Sequence, residues 1–425
     1  MSRIGPSLPD LPSIPFEDHS APSIPPNAMT STHHPLSPIR EVTLLILLLT
    51  TPAWGSSPRW VISANEGKID LSSGTRRVLR EAPPDTVTLL DFAQFPPSVR
   101  HLTNISNTVL GPPSNVAITP DGRFALIADS VRLDSSNTNG YRPARRLHLL
   151  DLVAEPPRVV AEGEAGEQVS GVCVAPNGRT VLVANRASGS VSVLRLEGAS
   201  LRPLAEIPLA LPVDEVSDVA ITPDGRRAFV SVRERGHLRE LILDGEKVTA
   251  TSRKFSTYGR PYRVLVTPDS QLVLTAGEGA GNGGDKDALT VIDLTADPAR
   301  ATDFIALGTG PETLDLSPDG KLLIAVIMNG SNLLPTDPWR TEHGQIVLLE
   351  RSGKTFKRRQ VMEVGRIPEG AVFTPDGRHV VVQSHPERKL WILDVTRSGL
   401  VDSGLRIDVP GMPSGLSSMR IQTGR

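Results

Sequence analysis

The sequence predicts an all-β protein, a seven-bladed β-propeller closed by pairing of the C-terminal strand into the N-terminal blade. Three observations lead there: one pattern repeated along the chain, short apolar runs flanking every copy, and a further unit split between the two ends. Each copy is an apolar run, then Thr/Ser/Ala-Pro-Asp/Asn-Gly, then a second apolar run. The copies are NVAITPDGRFALIAD from Asn115, GVCVAPNGRTVLVAN from Gly171, DVAITPDGRRAFVSV from Asp218, RVLVTPDSQLVLTAG from Arg263, TLDLSPDGKLLIAVI from Thr313 and GAVFTPDGRHVVVQS from Gly370. Their turn prolines, Pro120, Pro176, Pro223, Pro268, Pro318 and Pro375, are spaced 56, 47, 45, 50 and 57 residues apart. Self-similarity at that period marks units that bury their apolar faces only against their neighbours.

Within the third copy, Val219-Ala220-Ile221 and Ala228-Phe229-Val230 are too short for helices and rich in β-branched or aromatic residues. Between them Thr222-Pro223-Asp224-Gly225 suits a tight hairpin: proline presets φ, and glycine accepts the positive φ that follows. A third strand follows at Val191 to Leu196, Leu289 to Leu294, Ile346 to Leu349 and Leu390 to Val395. A more polar fourth, such as Leu201 to Ile207, closes the unit. Four antiparallel strands of falling hydrophobicity describe a propeller blade. One copy, Pro268-Asp269-Ser270, lacks the glycine, so Ser270 is either strained or its hairpin turns differently. For the seventh unit, Trp60 to Asn65 reads as a second strand and Asp85 to Asp91 as a third, with the inner strand supplied by Met412 to Ile421. Closure of this kind removes exposed sheet edges.

On these repeats the chain resembles the YVTN-type family, the lactonase-like seven-bladed propellers, over residues 58 to 422. The resemblance implies the fold. It leaves the activity open, because members range from lactone hydrolases to nucleic-acid binders and surface proteins.

Two segments are expected, a leader over 1–55 and a single ring over 56–425. Residues 1–28 are rich in Pro and Ser without periodicity and read as disordered, and Met29 is a second plausible start. His33, His34 and Arg40 precede the apolar run Val42 to Leu49. Ala53-Trp54-Gly55 then offers a small-x-small cleavage site before Ser56, with Glu41 the atypical member. This is the layout of a secretory signal, and it predicts a periplasmic or secreted protein whose only membrane contact is the export signal.

The 45 basic and 47 acidic residues become 43 of each once 1–55, holding Arg3, Arg40, Asp10, Glu17, Asp18 and Glu41, is set aside. A neutral surface argues against nucleic-acid binding, which draws on surplus cations, and aromatic residues for base stacking are few. The lone Cys173 reads as a small buried hydrophobe. No histidine spacing suits a metal, no nucleophilic serine sits in G-x-S-x-G, and the Gly-rich run Gly277 to Asp287 lacks a strand-loop-helix setting. No cofactor and no metal are expected.

Propeller geometry narrows the search for a site. Loops entering inner strands and loops leaving second strands converge on one face, where several backbones meet in a concavity. Asp218, Tyr262, Arg263, Glu312 and Glu369 enter inner strands; Asn65, Arg186, Arg233, Glu278, Asn329 and His385 leave second strands. Arg186, Arg233 and Arg263 form a candidate anion clamp, with Tyr262, Asp218, Glu278, Asn329 and Asn65 as further ligand contacts. Glu312, Glu369 and His385 are candidate general acid and base. Pairing among these same charges would explain them without a substrate.

Three inserts, Ser130 to Arg146, Glu278 to Ala288 and Met328 to Gly344, rise from that face. The reading favoured by neutral charge and the missing catalytic signature is an exported, non-enzymatic, monomeric scaffold. It would hold a small ligand or a protein through the insert-bearing face. The alternatives are a lactone hydrolase using the Arg/Glu/His rim, implied by the resemblance, and, third, single-stranded nucleic-acid binding.

Overall fold

The computed structural model describes residues 58–279 and 285–420. The leader, with its proposed signal and cleavage site, and the middle of the Gly-rich insert lie outside the described residues.

Seven four-stranded antiparallel sheets follow one another around a ring. From inner to outer strand, blade 1 is Met412–Ser418, Trp60–Glu66, Thr86–Asp91 and Ser98–Thr103. Blade 2 is Val116–Ile118, Phe124–Leu133, Tyr141–Asp151 and Arg158–Glu164; blade 3 is Val169–Val174, Thr180–Asn185, Ser190–Glu197 and Ser200–Pro208. Blade 4 is Val216–Ile221, Arg227–Val232, His237–Asp244 and Lys247–Ser256; blade 5 is Arg260–Val266, Leu272–Glu278, Ala288–Asp293 and Arg300–Ala306. Blade 6 is Pro311–Leu316, Leu322–Ile327, Gly344–Ser352 and Thr355–Val364; blade 7 is Ala371–Phe373, His379–Ser384, Lys389–Thr396 and Gly399–Asp408. The fold class and the closure are as the repeats imply. The last strand pairs antiparallel with the first, Val61 opposite Ser418 and Asn65 opposite Pro413.

Hydrophobic burial holds the ring together from one blade to the next. One cluster joins Leu126 and Leu149 of blade 2 to Val181 and Val183 of blade 3. Another joins Leu274 and Leu289 of blade 5 to Leu323 and Val347 of blade 6. The split blade is sealed on both sides, by Val61 and Leu416 against Val381 and Ile392, and by Ile62 and Leu89 against Ile127 and Leu150. The core is mainly Val, Leu, Ile and Ala, as the low aromatic content requires.

The recurring turn is held by its own side chains. Thr119 Oγ1 donates to Asp121 Oδ1 at 2.5 Å and accepts from the Phe124 amide at 2.9 Å, and the Gly122 amide returns to the Thr119 carbonyl. Thr222, Thr267, Ser317 and Thr374 repeat the hydroxyl–aspartate bond. Where Ala175 has no hydroxyl, Asn177 Oδ1 accepts the Arg179 and Thr180 amides instead. Ser270 takes φ 58°, close to the 70° of Gly122, so the strained alternative is the one adopted. Replacing Ser270 by glycine is therefore expected to stabilise the protein by about 0.5–1 kcal/mol, a left-handed serine being costly and a more flexible unfolded chain returning part of the gain. Urea unfolding would measure it, and an unchanged or lower midpoint would count against the strain.

A short hairpin absent from the sequence reading, Ile69–Asp70 with Arg77–Val78, follows the strand Trp60–Glu66 of blade 1. Ile69 packs with Val109, Leu110 and Val131 in a small cluster of its own. Most of the insert from Ser130 to Arg146 prolongs the second and third strands of blade 2 into a hairpin, with Leu133 opposite Tyr141.

Candidate functional site

A cavity of about 530 Å3 opens on the face where inner strands begin and second strands end. Its walls come from several blades, and its rim comes from loops. Gly74, Thr75 and Arg76 of the blade 1 hairpin, Asn137 and Asn139 of the blade 2 insert, and Asn332 of the blade 6 insert all line it. These pieces touch one another. Arg76 Nη1 donates to Tyr141 Oη at 2.7 Å, and a Cβ at Gly74 would lie 2.6 Å from the backbone of Leu333, so only glycine fits that contact.

Beneath the rim lies an arginine–tyrosine–arginine layer. Arg186 follows the second strand of blade 3, Arg233 that of blade 4, and Tyr262 enters blade 5. The Arg186 and Arg233 guanidinium carbons stand 5.7 and 5.4 Å from the Tyr262 ring centroid. Arg186 donates to Ser217 Oγ at 3.0 Å and pairs with Glu215. Arg233 donates to Glu278 Oε2 at 2.8 Å, pairs with Glu234, and lies 3.6 Å from Glu215. Burial pushes the Tyr262 hydroxyl well above its ordinary range, which keeps it a hydrogen-bond donor.

Two carboxyl groups complete the floor. Burial, reinforced by Glu278 and opposed by Arg233 and Arg186, raises Glu312 to about 8. Glu369 is 2% exposed; burial, then Glu312 and Glu66, hold its proton on well above the usual carboxylate range. Its Oε1 has no hydrogen-bond partner. Two neighbouring buried carboxyls that resist ionising together are an arrangement in which one can accept a proton while the other donates.

Arg186, Arg233, Tyr262, Glu278, Glu312 and Glu369 thus line one cavity. The other candidates lie elsewhere. Asp218 is buried among the inner strands, accepting from Ser114 Oγ at 2.7 Å and the Val264 amide at 2.8 Å, with Arg263 3.4 Å away, so Arg263 serves Asp218 and not a three-arginine clamp. Asn65 is buried within blade 1 against Ser63, Thr86 and Thr88. Asn329 takes φ 53° in its turn and donates to the His343 carbonyl. His385 is fully buried, its Nδ1 2.9 Å from the Pro413 carbonyl; burial drops it to about 4, so it is a neutral packing group.

The sequence reading omitted Gln168, Glu215, Tyr141 and Arg76 from the lining. It also omitted Glu66, which is fully buried, accepts the Val109 amide on Oε1 at 3.1 Å, and acts on Glu369. Glu66 was findable: it is the next residue after Asn65, and pleating sends the two side chains to opposite faces.

No family model and no curated protein matches this chain. Among solved structures it is similar to a protein of Bacteroides uniformis named as a 6-phosphogluconolactonase, with 17% identity over 85% of this chain and 99% of that one, TM-score 0.64. It is similar to a periplasmic gluconolactonase of Pseudomonas aeruginosa, with 17% identity over 86% and 100%, TM-score 0.62. It is also similar to hydrazine synthase of Kuenenia stuttgartiensis, with 17% identity over 76% and 99%, TM-score 0.56. At these identities the shared property is the fold. The lactonase names of these neighbours nevertheless count against the expectation of a non-enzymatic scaffold and for its hydrolytic alternative.

Proposed function

We propose that this chain, whose fold is that of the lactonase-like seven-bladed propellers, is a lactone hydrolase acting in the cavity bounded by Arg186, Arg233, Tyr262, Glu312 and Glu369. The observation that carries the reading is the pair of buried carboxyls beside the arginine–tyrosine layer. Glu312, ionised near its raised pKa, takes a proton from the attacking water. The carbonyl oxygen gains negative charge, which the two guanidiniums and the Tyr262 hydroxyl stabilise. As the ring C–O bond breaks, Glu369 gives its proton to the departing alkoxide. The names of the structural neighbours support the reaction class.

Asn137, Asn139, Asn332 and Gln168 around the cavity suit a substrate rich in hydroxyl groups. The leader pattern and the periplasmic neighbour together favour an exported enzyme, hence an unphosphorylated sugar lactone. The test is a panel of sugar and aliphatic lactones followed by pH-stat. Hydrolysis above the spontaneous rate is expected, with sugar lactones preferred, and a flat response across the panel would remove the reading.

A further inference from the structure

Four blades enter their inner strands through a residue in the same left-handed conformation. Gln168, Glu215, Gly310 and Ile367 stand three residues ahead of Gly171, Asp218, Thr313 and Gly370, in blades 3, 4, 6 and 7. Their φ values are 56°, 53°, 69° and 47°. In each case the carbonyl accepts the amide of the residue just past the second strand of the same blade. The donors are Arg186 at 3.0 Å, Arg233 at 3.0 Å, Met328 at 2.8 Å and His385 at 3.2 Å. This bracket is a property of the fold, and glycine fills it without strain in blade 6. Any other residue there is held in a costly conformation that something else must offset.

For two of the three strained residues the compensation is visible. Glu215 pairs with Arg186 and lies 3.6 Å from Arg233. Ile367 is packed to 1% exposure, and the Ser331 hydroxyl accepts its amide at 3.0 Å. Gln168 has neither. Its backbone is complete without the side chain, since its amide donates to the Ala144 carbonyl at 2.8 Å. The residue is half-buried and lines the cavity, and its side chain makes no hydrogen bond to any described residue. A carboxamide with free donors and a free acceptor is therefore held at the cavity wall by a strained backbone that glycine would relax.

We infer that Gln168 is a substrate-binding residue, one that selects lactones carrying a hydroxyl group on the carbon next to the carbonyl. The inference rests on the hydrolysis proposed above, which sets the lactone carbonyl oxygen against Arg186. Gln168 and Arg186 are joined through their backbones, so the carboxamide approaches the substrate from the side of that guanidinium. The first carbon beyond the carbonyl lies there. The amide oxygen accepts a hydrogen bond from its hydroxyl, and the amide nitrogen donates to the hydroxyl that follows. A lactone with no oxygen at that carbon forfeits the contact, and the strain at Gln168 then serves nothing.

The test is hydrolysis of glucono-δ-lactone and of its 2-deoxy counterpart by the full protein, by Gln168→Gly and by Gln168→Ala, corrected for spontaneous opening. The wild type is expected to prefer the hydroxylated lactone about tenfold in kcat/KM, chiefly through KM, which is what one good hydrogen bond supports. Both variants should bring that preference within about twofold of unity, the loss falling on the hydroxylated lactone. Gln168→Gly should also melt at or about 1–2 °C above the wild type, because the left-handed strain is gone. A preference retained by both variants overturns the assignment, and so does a wild type that treats the two lactones alike. A glycine variant that melts lower and loses rate on both lactones equally assigns the side chain to packing and overturns it too. Should Gln168→Ala fail to fold, Gln168→Gly decides the matter. Hydrolysis of neither lactone by the wild type is a different result: it removes the reaction itself, whereas hydrolysis with the preference intact in both variants removes only the role of Gln168.

Discussion

Replacement of Glu312 by glutamine is expected to lower kcat/KM for lactone hydrolysis by about 10²–10⁴-fold, the usual contribution of a positioned general base. The sign of the pH dependence follows from its raised pKa of about 8. Below that value the carboxyl is protonated and cannot accept a proton from water, so wild-type activity should rise about tenfold per pH unit and level off above pH 8. The rate should fall again in more alkaline solution as Glu369, whose proton burial and then Glu312 hold on well above the usual carboxylate range, loses the proton that the leaving oxygen needs. In Glu312→Gln the rising limb should vanish while the overall fold is kept, because glutamine preserves shape and removes a buried titrating group. Rates corrected for spontaneous hydrolysis between pH 5 and 10 would measure this. A variant that keeps both its rate and its rising limb would exclude Glu312 as the base.

The second large effect is on stability at alkaline pH. Glu66 is fully buried and raised from 4.5 to about 8, so the folded protein keeps a proton that the unfolded chain gives up. Its contribution is complete below pH 4.5 and is lost as pH rises through about 8, at about 1.4 kcal/mol per pH unit, on the order of 5 kcal/mol in all. Glu312 and Glu369 act in the same direction. Asp293 has the opposite sign: against the push of its own burial, hydrogen bonds from Lys354 and Thr295 lower it to about 2, and that contribution is lost as pH falls through this value. The denaturant midpoint should therefore be highest in mildly acidic solution and fall steadily towards pH 9. Glu66→Gln should flatten the decline by one group's share, and parallel slopes for variant and wild type would refute the assignment.

The ring was legible because its instructions are local and repeated. The Pro-Asp-Gly turns, the Thr or Ser that braces them and the apolar runs on either side each specify a hairpin without reference to distant residues. Even the split blade could be recognised, since Trp60 to Asn65 lacks a preceding partner and Met412 onward lacks a following one. The cavity was legible only in part. Arg186, Arg233, Tyr262, Glu312 and Glu369 stand at fixed offsets from the turns, so their strands point them out. Arg263, one place further along its strand than Tyr262, is taken by Asp218, and His385, at the same offset as Arg186 and Arg233, is covered by blade 1's innermost strand; which rim group stays open depends on packing across the ring. Tyr141 and Arg76 come from hairpins whose paths no repeat dictates, and they meet only after folding.

The strand that ends in Glu66 is backed on its inner side by Met412–Ser418. A ribosome emits the two halves of that pairing far apart in time. Until the later half arrives, the carboxyl that acts on Glu369 has no fixed seat, so partly synthesised molecules should fold much of their mass and yet remain chemically silent.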